Sequence, residues 1–388
     1  MSKFIDMNTL KLIACLILTS CCSSSRTNRS QKNVGSGIIT DGLIKVNADS
    51  LKLTELNTAI ASDSFPNTHS ILLMKDDVLF YENYFEGCDQ NNGKQLGLVS
   101  HNANTLHDCR SITKTVVSAC IGIAIKKGLI SSVDERVKKY FPEYADFFEG
   151  QKDNITIKHL LTMTSGLAWN EHTSYANPFN SEIQMNLRKN PVKYVLKQKL
   201  EFDPASHWNY SGGNTQVLAA IIEKVSGKKI DEFAKENLFS KLGIDNTEWQ
   251  TLLFQRSLPS AASGLRLTSR EMLHIGSLFT NDGFFNGSQI LDTSWVVNSF
   301  KNAIDRNTLK KIKPGGYGYQ FWNYNEMING KPYYIVEAKG NGGNSILICK
   351  ELNLIMVITA GNYNKFDLMN NPLKIFSNYV IPAVMQKK

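Results

Sequence analysis

The sequence predicts an α+β domain: an antiparallel sheet assembled from both ends of the chain, flanked by helices and interrupted by a large, mostly helical insertion. One observation is a hairpin signal near the N-terminus, where Lys75-Asp76-Asp77 joins two apolar stretches. The other is a set of three apolar stretches separated by short turns near the C-terminus, preceding a last helix over about 366–386. The five predicted strands cover residues 70–74, 78–84, 333–338, 345–349 and 354–359.

Between these strand groups the pattern is helical. A central helix is predicted over 110–127, ending near Gly128, and its apolar residues leave almost no polar face, so we expect it to be buried. A mostly helical subdomain follows over about 128–265. It includes 157–167, which ends at a glycine as helices often do, and a strongly helical stretch over 215–225.

The start of the central helix holds a candidate catalytic pair. Ser111 and Lys114 are three residues apart, which places both side chains on one helix face. A serine hydroxyl needs a nearby base, and lysine can serve if burial or neighbouring charge lowers its pKa. Backbone N–H groups at a helix start can also stabilise an oxyanion. The alternative is that Ser111 is an ordinary N-cap, since a second Ser-x-x-Lys occurs at Ser226.

The N-terminus predicts export. Residues 1–20 contain lysines flanking an apolar run too short to span a bilayer, and they end in Leu-Thr-Ser before Cys21. This pattern resembles a bacterial lipoprotein signal in which Cys21 is lipidated; an ordinary secretory signal is the alternative, and Cys22 is the weaker lipidation candidate. Residues 21–50 are expected to be a flexible tether and 51–388 the folded domain. The protein is then expected to be anchored to a membrane, facing the periplasm or the cell exterior.

Composition and spacing restrict the chemistry further. The net charge of +8 comes from scattered residues, which argues against nucleic-acid binding.

In an oxidising compartment Cys88 and Cys109, which bracket a polar loop, can form a disulfide or remain free, whereas Cys120 and Cys349 are expected to be core thiols. The seven histidines show no metal-ligand spacing, so no metal and no organic cofactor are expected.

Two later stretches can complete a site with Ser111. Tyr210 precedes a helix in a tight polar turn, where a phenol can transfer protons; a core tyrosine is the alternative. Asn341, Gly342 and Gly343 open a strand, and glycines there allow a ligand to approach the backbone closely. They are candidate substrate-binding residues, with a plain hairpin turn as the alternative.

The order of these three motifs resembles the serine β-lactamase and penicillin-binding-protein superfamily, in its class C-like branch of esterases, D-amino-acid peptidases and 6-aminohexanoate-oligomer hydrolases. The resemblance covers about 55–385 and implies a β-lactamase-like fold. It implies that Ser111 is the acylated nucleophile, Lys114 its base partner and Tyr210 a phenolate that transfers protons. It also implies an oxyanion hole formed by the backbone N–H groups of Ser111 and Asn344. Supporting stretches are 160–167, 242–249, 263–268 and 316–322.

Two departures from that pattern direct the substrate prediction. The second motif of class C β-lactamases is Tyr-x-Asn, but Gly212 stands at its third position. The third motif usually begins with Lys or His, but here it begins with the neutral Asn341, and Lys339 lies two residues earlier. We therefore expect a serine hydrolase that cleaves a small ester or amide, or a short peptide. We also expect the protein to be a monomer. The alternatives are a D-stereospecific peptidase or weak β-lactamase acting on peptidoglycan-like substrates, and a catalytically silent binding protein.

Overall fold

The structure is a computed structural model that describes residues 36–175, 177–305 and 315–385. The predicted signal peptide and the lipidation site at Cys21 lie outside these residues. Within them, no helix combines the length and the apolar character that a membrane crossing requires.

Strands are numbered in chain order. They are β1 (Thr68–Lys75), β2 (Val78–Tyr84), β3 (Glu86–Asn91), β4 (Lys94–Ser100), β5 (His107–Asp108), β6 (Glu248–Trp249), β7 (Thr251–Leu252), β8 (Gln255–Pro259), β9 (Leu265–Leu267), β10 (Phe284–Phe285), β11 (Ser288–Gln289), β12 (Ile304–Asp305), β13 (Gly316–Tyr317), β14 (Trp322–Ile328), β15 (Lys331–Gly340), β16 (Asn344–Cys349) and β17 (Leu354–Ala360).

Helices are numbered in the same way. They are α1 (Thr40–Val46), α2 (Ser50–Ala61), α3 (Ile112–Lys126), α4 (Ile157–Leu161), α5 (Ser181–Asn186), α6 (Pro191–Leu196), α7 (Gly212–Ser226), α8 (Ile230–Ala234), α9 (Ser240–Leu242), α10 (Ser269–Thr280), α11 (Thr293–Phe300), α12 (Asn371–Ile375) and α13 (Ile381–Val384).

The main sheet confirms the predicted α+β architecture. Its eight strands are antiparallel in the order β12-β13-β14-β15-β16-β17-β1-β2, so the N-terminal hairpin pairs with the C-terminal strands through β1 and β17. Each face of the sheet carries its own apolar core. One core includes α3, α7 and α10, and the other includes α2 and the C-terminal helices α12 and α13.

Helix α3 is the centre of the larger core. Thirteen of its fifteen residues, Ile112 to Ala124, are buried, as its apolar sequence predicts. It packs against α7 of the insertion and against β15 and β16 of the sheet. The N-terminus of α3 therefore lies where the helical insertion meets the sheet, and it places residues 109–114 at that junction.

Four sequence predictions need correction. The polar segment after Cys88 is not a loop, because β3 and β4 pair as a hairpin. The predicted tether is too long, since α1 packs on β2 with Gly42 and Val46 buried. The last helix is interrupted by a π-helical turn over Phe376–Val380.

The fourth correction concerns the predicted disulfide between Cys88 and Cys109. Cys109 is a free thiol, fully buried in the core that surrounds α3. Its backbone N–H donates to the Leu265 carbonyl, and burial raises the pKa of its thiol. Cys109 is thus a core residue within residues 109–111, called the nucleophile loop below, and it does not bridge to Cys88.

Candidate active site

The structure brings Ser111 and Lys114 together at the start of α3. Ser111 occupies the N-cap position, but its side chain makes no capping hydrogen bond, so the N-cap alternative does not describe it. Instead, Lys114 Nζ donates to Ser111 Oγ at 3.0 Å and to the Ala262 carbonyl at 2.9 Å. The lysine side chain is 1% exposed. A buried amine in contact with a hydroxyl that has no structural task is the arrangement that serine activation needs.

The second Ser-x-x-Lys sequence has no such arrangement. Ser226 Oγ donates to the Ile222 carbonyl at 2.6 Å, one turn back in α7. The Ser226 hydroxyl thus makes a hydrogen bond within its own helix, as serines near helix ends commonly do. Ser226 is therefore a suitable control for experiments on Ser111.

The backbone before Ser111 is held in an uncommon conformation. Arg110 has φ of +48°, in the left-handed region that non-glycine residues rarely adopt. Its guanidinium pairs with Asp108 at 2.9 Å and lies 5.1 Å from the centre of the Tyr363 ring. These contacts stabilise the strained turn, and strain of this kind is concentrated at functional sites.

Tyr210 is the third predicted catalytic residue, and it also reaches Ser111. Its side chain interacts with that of Ser111, and Lys114 Nζ lies 4.9 Å from the centre of its ring. Burial, reinforced by the charge of Glu171, raises the pKa of Tyr210 well above its ordinary value, and the interaction with Ser111 only partly opposes this. This direction favours the neutral phenol, whereas the resemblance implies a phenolate.

Three aromatic side chains pack around Tyr210. The Trp322 ring stacks on Tyr210 with centroids 5.5 Å apart, and Tyr317 meets Tyr210 edge-on at 6.3 Å. Trp208 packs against both Tyr317 and Trp322. This aromatic cluster makes one wall of the site apolar, which suits a substrate that carries little charge next to the scissile bond.

A buried glutamate accounts for the glycine at the third position of the second motif. A Cβ atom on Gly212 would lie 2.5 Å from Glu182 Oε2, so the carboxyl group fills the space that a side chain here would need. Glu182 Oε1 accepts from Ser263 Oγ at 3.1 Å. Burial and the charge of Glu171 raise the pKa of Glu182 to about 8, although the Lys114 charge acts in the opposite direction. Sequence reasoning missed Glu182, because it belongs to α5 in the insertion and matches no motif.

Glu171 completes this acidic pair. Its Oε2 accepts from the Gly212 backbone N–H at 2.7 Å and from Trp169 Nε1 at 2.8 Å, and its Oε1 accepts from Tyr175 at 2.9 Å. Three donors thus engage the carboxyl group of Glu171. The raised pKa of Glu182 means that Glu182 is the member of the pair that retains a proton near neutral pH.

The predicted oxyanion residues are Ser111 and Asn344. Asn344 pairs with Gly340 next to the turn that joins β15 and β16. A Cβ atom on Gly340 would lie 2.3 Å from the Cys109 carbonyl oxygen, so only glycine lets this strand end approach the nucleophile loop. The contact brings Gly340, which pairs with Asn344, against the segment that carries Ser111. The oxyanion role of the Ser111 and Asn344 N–H groups stays a prediction.

The predicted substrate-binding residues form the turn between β15 and β16. Gly342 and Gly343 have φ of +105° and +89°, values that favour glycine. The Asn341 side chain is held by Asn364: its Nδ2 donates to Asn364 Oδ1 at 2.8 Å, and its Oδ1 accepts from the Asn364 N–H at 2.9 Å. Asn341 therefore fixes the turn, and its amide is already engaged in these two bonds.

Lys339 does not supply the missing positive charge. Its Nζ lies 3.4 Å from Glu337 and donates to Asn370 at 3.0 Å, and Glu337 is fully buried. Alternation along β15 places Ala338 in the core around α3, so Lys339 and Glu337 point to the opposite face of the sheet. The charge of Lys339 is thus neutralised on the side of the sheet away from Ser111.

A second group of polar side chains, also missed by sequence reasoning, lies beneath the nucleophile loop. His69, Asp89, His101 and His107 are all buried, and each offers one ligand atom within 4.8 Å of the others. Burial lowers the pKa of His69 to about 3 and that of His107 well below its ordinary value, so both rings are neutral. No sequence spacing signals this cluster, because sheet and hairpin pairing brings its members together.

Comparison with known proteins agrees with the geometry of the site. The sequence model of the β-lactamase family matches residues 68–376, which span the main sheet, α3 and the helical insertion. The chain belongs to the β-lactamase family. The predicted β-lactamase-like fold is thereby confirmed.

Relatives of known name lie within this family. The 6-aminohexanoate-dimer hydrolase of Paenarthrobacter ureafaciens is 25% identical over 56% of this chain and 57% of its own. Penicillin-binding protein 4* of Bacillus subtilis is 30% identical over 37% of this chain and 30% of its own. The matched stretches thus span little more than half of these relatives at most. Among solved structures, EstCE1, a hydrolase with promiscuous acyltransferase activity, superposes with a TM-score of 0.65 at 17% identity, covering 86% of this chain and 97% of its own.

Proposed function

We propose that this β-lactamase family member is a serine hydrolase that cleaves a neutral ester or amide through an acyl-enzyme on Ser111. One observation carries the proposal: Lys114 Nζ donates to Ser111 Oγ at 3.0 Å and lies 4.9 Å from the centre of the Tyr210 ring, while Ser111 makes no capping bond of its own. A serine with two proton-transfer groups in contact and no structural role is positioned for acyl transfer. The 6-aminohexanoate-dimer hydrolase among its relatives and the hydrolase EstCE1 among its structural neighbours support this reaction class.

Acylation uses both groups that touch Ser111. Ser111 Oγ attacks the substrate carbonyl carbon and gives its proton to Lys114, which acts as the base once it has released a proton of its own. The N–H groups of Ser111 and Asn344 stabilise the tetrahedral oxyanion. As the bond to the leaving group breaks, the neutral phenol of Tyr210 protonates the departing oxygen or nitrogen. The acyl-enzyme is then flanked by a Tyr210 phenolate and a Lys114 ammonium.

Deacylation returns both protons. Water gives a proton to the Tyr210 phenolate and attacks the acyl carbon, and Ser111 Oγ leaves with the proton from Lys114. Each group ends the cycle in its starting protonation state. The neutral phenol of the resting enzyme thus fits the first step, and the phenolate role expected from the resemblance belongs to the second.

The charges around the site support a neutral substrate. Asn341 is uncharged and bound to Asn364, and Lys339 is paired with Glu337 on the other face of the sheet. Arg110 is paired with Asp108. The buried carboxyl groups of Glu171 and Glu182 offer no positive charge to a substrate carboxylate. We therefore place esters and amides without a carboxylate ahead of D-peptides and β-lactams, whose turnover would support the alternative functions.

We also propose that the protein is exported and anchored to a membrane through a lipid on Cys21, as a monomer facing the periplasm or the cell exterior. The support is the short apolar run followed by Leu18-Thr19-Ser20-Cys21. Acyl chains on one cysteine contribute about 0.8 kcal/mol for each buried methylene, so several chains form a stable anchor.

A panel of purified proteins tests the reaction class. Initial rates are measured with p-nitrophenyl esters, D-amino-acid amides and nitrocefin for wild type, Ser111→Ala and the control Ser226→Ala. We expect ester hydrolysis that Ser111→Ala abolishes and Ser226→Ala leaves unchanged. A preference for nitrocefin or D-amino-acid amides would overturn the substrate class, and an inactive wild type would favour the silent binding protein.

A further inference from the structure

The buried cluster beneath the nucleophile loop joins four elements of the chain. His69 lies in β1, Asp89 in β3 and His107 in β5, while His101 follows β4 directly. None of the four is more than 3% exposed. Buried polar side chains are costly unless they are hydrogen-bonded or bind an ion, so the partners of every atom in the cluster matter.

Each histidine of the cluster has one ring nitrogen, its outer nitrogen, that faces away from the other three residues. Each outer nitrogen lies near an oxygen atom that can accept a hydrogen bond. His69 Nε2 lies 3.1 Å from the Cys88 carbonyl oxygen, and His101 Nδ1 lies 2.8 Å from the Phe85 carbonyl oxygen. A carbonyl only accepts, so each of these nitrogens carries a proton. His107 Nε2 lies 3.5 Å from Thr359 Oγ1, which can accept in the same way. An imidazole whose one nitrogen donates to an outer acceptor has the other free for a metal.

The inner atoms lack such partners. His69 Nδ1 and His107 Nδ1 are buried and have no hydrogen-bond partner within the described part of the chain. His101 Nε2 lies 3.3 Å from Asp89 Oδ2, and His69 Nδ1 lies 4.0 Å from the same oxygen. With the outer nitrogens protonated, the inner nitrogens present lone pairs to a carboxylate and to one another. Lone pairs at these distances repel unless a cation lies between them.

We propose that His69, Asp89, His101 and His107 bind one divalent transition-metal ion, with Zn²⁺ the expected ion. Three imidazoles and one carboxylate are a donor set that Zn²⁺ accepts in tetrahedral geometry. Bonds of about 2.0–2.1 Å imply ligand atoms roughly 3.3–3.4 Å apart. The His101–Asp89 distance of 3.3 Å already matches this spacing, and small movements of the other ligand atoms, all within 4.8 Å of one another, complete it.

The site is structural and separate from the reacting groups. Its four ligands fill a tetrahedral shell and leave no position for water or substrate, unlike a catalytic zinc site. It nevertheless lies directly behind the active site. Asp89 Oδ1 accepts from the Tyr363 hydroxyl at 3.2 Å, and the Tyr363 ring packs against Gly342 and Arg110. A bound ion would therefore fix the segment before Ser111 and the turn before Asn344 from the same side.

The competing explanation is a doubly protonated His101 paired with Asp89. That pair satisfies one inner nitrogen but leaves His69 Nδ1 and His107 Nδ1 buried without partners. Each such group has lost its hydrogen bonds to water without gaining others, which destabilises the folded protein. Metal binding satisfies all four inner atoms at once, which is why the geometry favours it.

Metal analysis of the purified full-length protein tests the proposal directly. Wild type, His69→Gln, His101→Gln and the control His274→Gln are purified without chelator, incubated with Zn²⁺, desalted and analysed by inductively coupled plasma mass spectrometry. His274 is a matched control because its ring is also held by a backbone carbonyl, that of Leu242, but lies outside the cluster. We expect about one zinc per chain in wild type and His274→Gln, and less than about 0.1 in the two cluster variants.

A second measurement keeps the test decisive if the cluster variants fold poorly. Wild type is stripped with a chelator, its melting temperature is recorded, and Zn²⁺ or Co²⁺ is then added. We expect the melting temperature to fall on stripping and to recover with Zn²⁺, and Co²⁺ to give the visible absorption of a tetrahedral site. Wild type that holds less than about 0.1 zinc and melts unchanged by chelator would overturn the proposal. One zinc per chain retained in His69→Gln would also overturn it, because the ion would then lie elsewhere.

Discussion

Replacing Glu182 with glutamine changes how the free energy of unfolding depends on pH. Burial and the charge of Glu171 raise the pKa of Glu182 from 4.5 to about 8, so the folded protein holds a proton that the unfolded chain has released. A raised pKa contributes stability that is fully present below about pH 4.5 and is lost as the pH rises through about 8. Glu182→Gln keeps the shape of the neutral acid and cannot ionise. The free energy of unfolding of the variant therefore does not decrease with rising pH through ionisation at this position.

The size of the effect follows from the shift. Each pKa unit corresponds to about 1.4 kcal/mol. Between pH 5 and pH 8 we therefore expect the free energy of unfolding of wild type to decrease by an amount on the order of a few kcal/mol, a decrease that the variant does not share. Since Glu182 is only 3% exposed, solvent does not screen the two carboxyl groups from each other.

Urea denaturation at several pH values between 5 and 8 measures this difference. The free energy of unfolding of wild type minus that of Glu182→Gln should fall steadily as the pH rises, and the exposed control Glu149→Gln should show no such trend relative to wild type. Curves for wild type and Glu182→Gln that stay parallel across this range would refute the assignment of a protonated carboxyl group beside Gly212.

Three further predictions follow from the site and the N-terminus. Gly212→Ala should lower the free energy of unfolding by about 1–3 kcal/mol, because the new Cβ would lie 2.5 Å from Glu182 Oε2. The decrease should be smaller in a Glu182→Ala background. Equal decreases in both backgrounds, measured by urea denaturation, would contradict the steric explanation. Asn341→His should raise the ratio of kcat/KM for a carboxylate-bearing ester to that for its neutral analogue by roughly ten- to a hundredfold, because one ionic contact contributes about 1.5–3 kcal/mol. Loss of the two bonds to Asn364 should lower kcat/KM for both esters, so the ratio is the quantity compared. A wild type that already prefers the carboxylate ester would contradict this prediction. Cys21→Ala should move the protein from the membrane to the soluble fraction on cell fractionation, and a variant with Cys21 and Cys22 both replaced that remains bound would exclude the lipid anchor.

The sequence predicted those parts of the fold that depend on local pattern. The hairpin of β1 and β2 and the strands β15 to β17 are read from short apolar runs with turns between them, and all five lie where they were expected. Ser111 and Lys114 meet because helix geometry brings residues three apart onto one face. The burial of α3 follows from its apolar composition.

The remaining features depend on contacts between distant segments. Glu182 comes from the insertion, and only the packing of α5 near α7 brings its carboxyl group to Gly212. The cluster of His69, Asp89 and His101 requires the pairing of β3 with β4 and their contact with β1, which no periodicity in that polar segment indicates. The burial of Gly42 likewise depends on its contact with β2 and not on the composition of the segment around it.

Trapping an acyl-enzyme identifies the residue that attacks the substrate. Purified protein is incubated with a fluorophosphonate or a slowly turned over p-nitrophenyl ester, and intact mass followed by peptide mapping locates the added group. We expect one adduct per chain, on Ser111, absent from Ser111→Ala and unaffected by Ser226→Ala. An adduct on Ser226 or on another residue, or no adduct on a folded wild type, would contradict it.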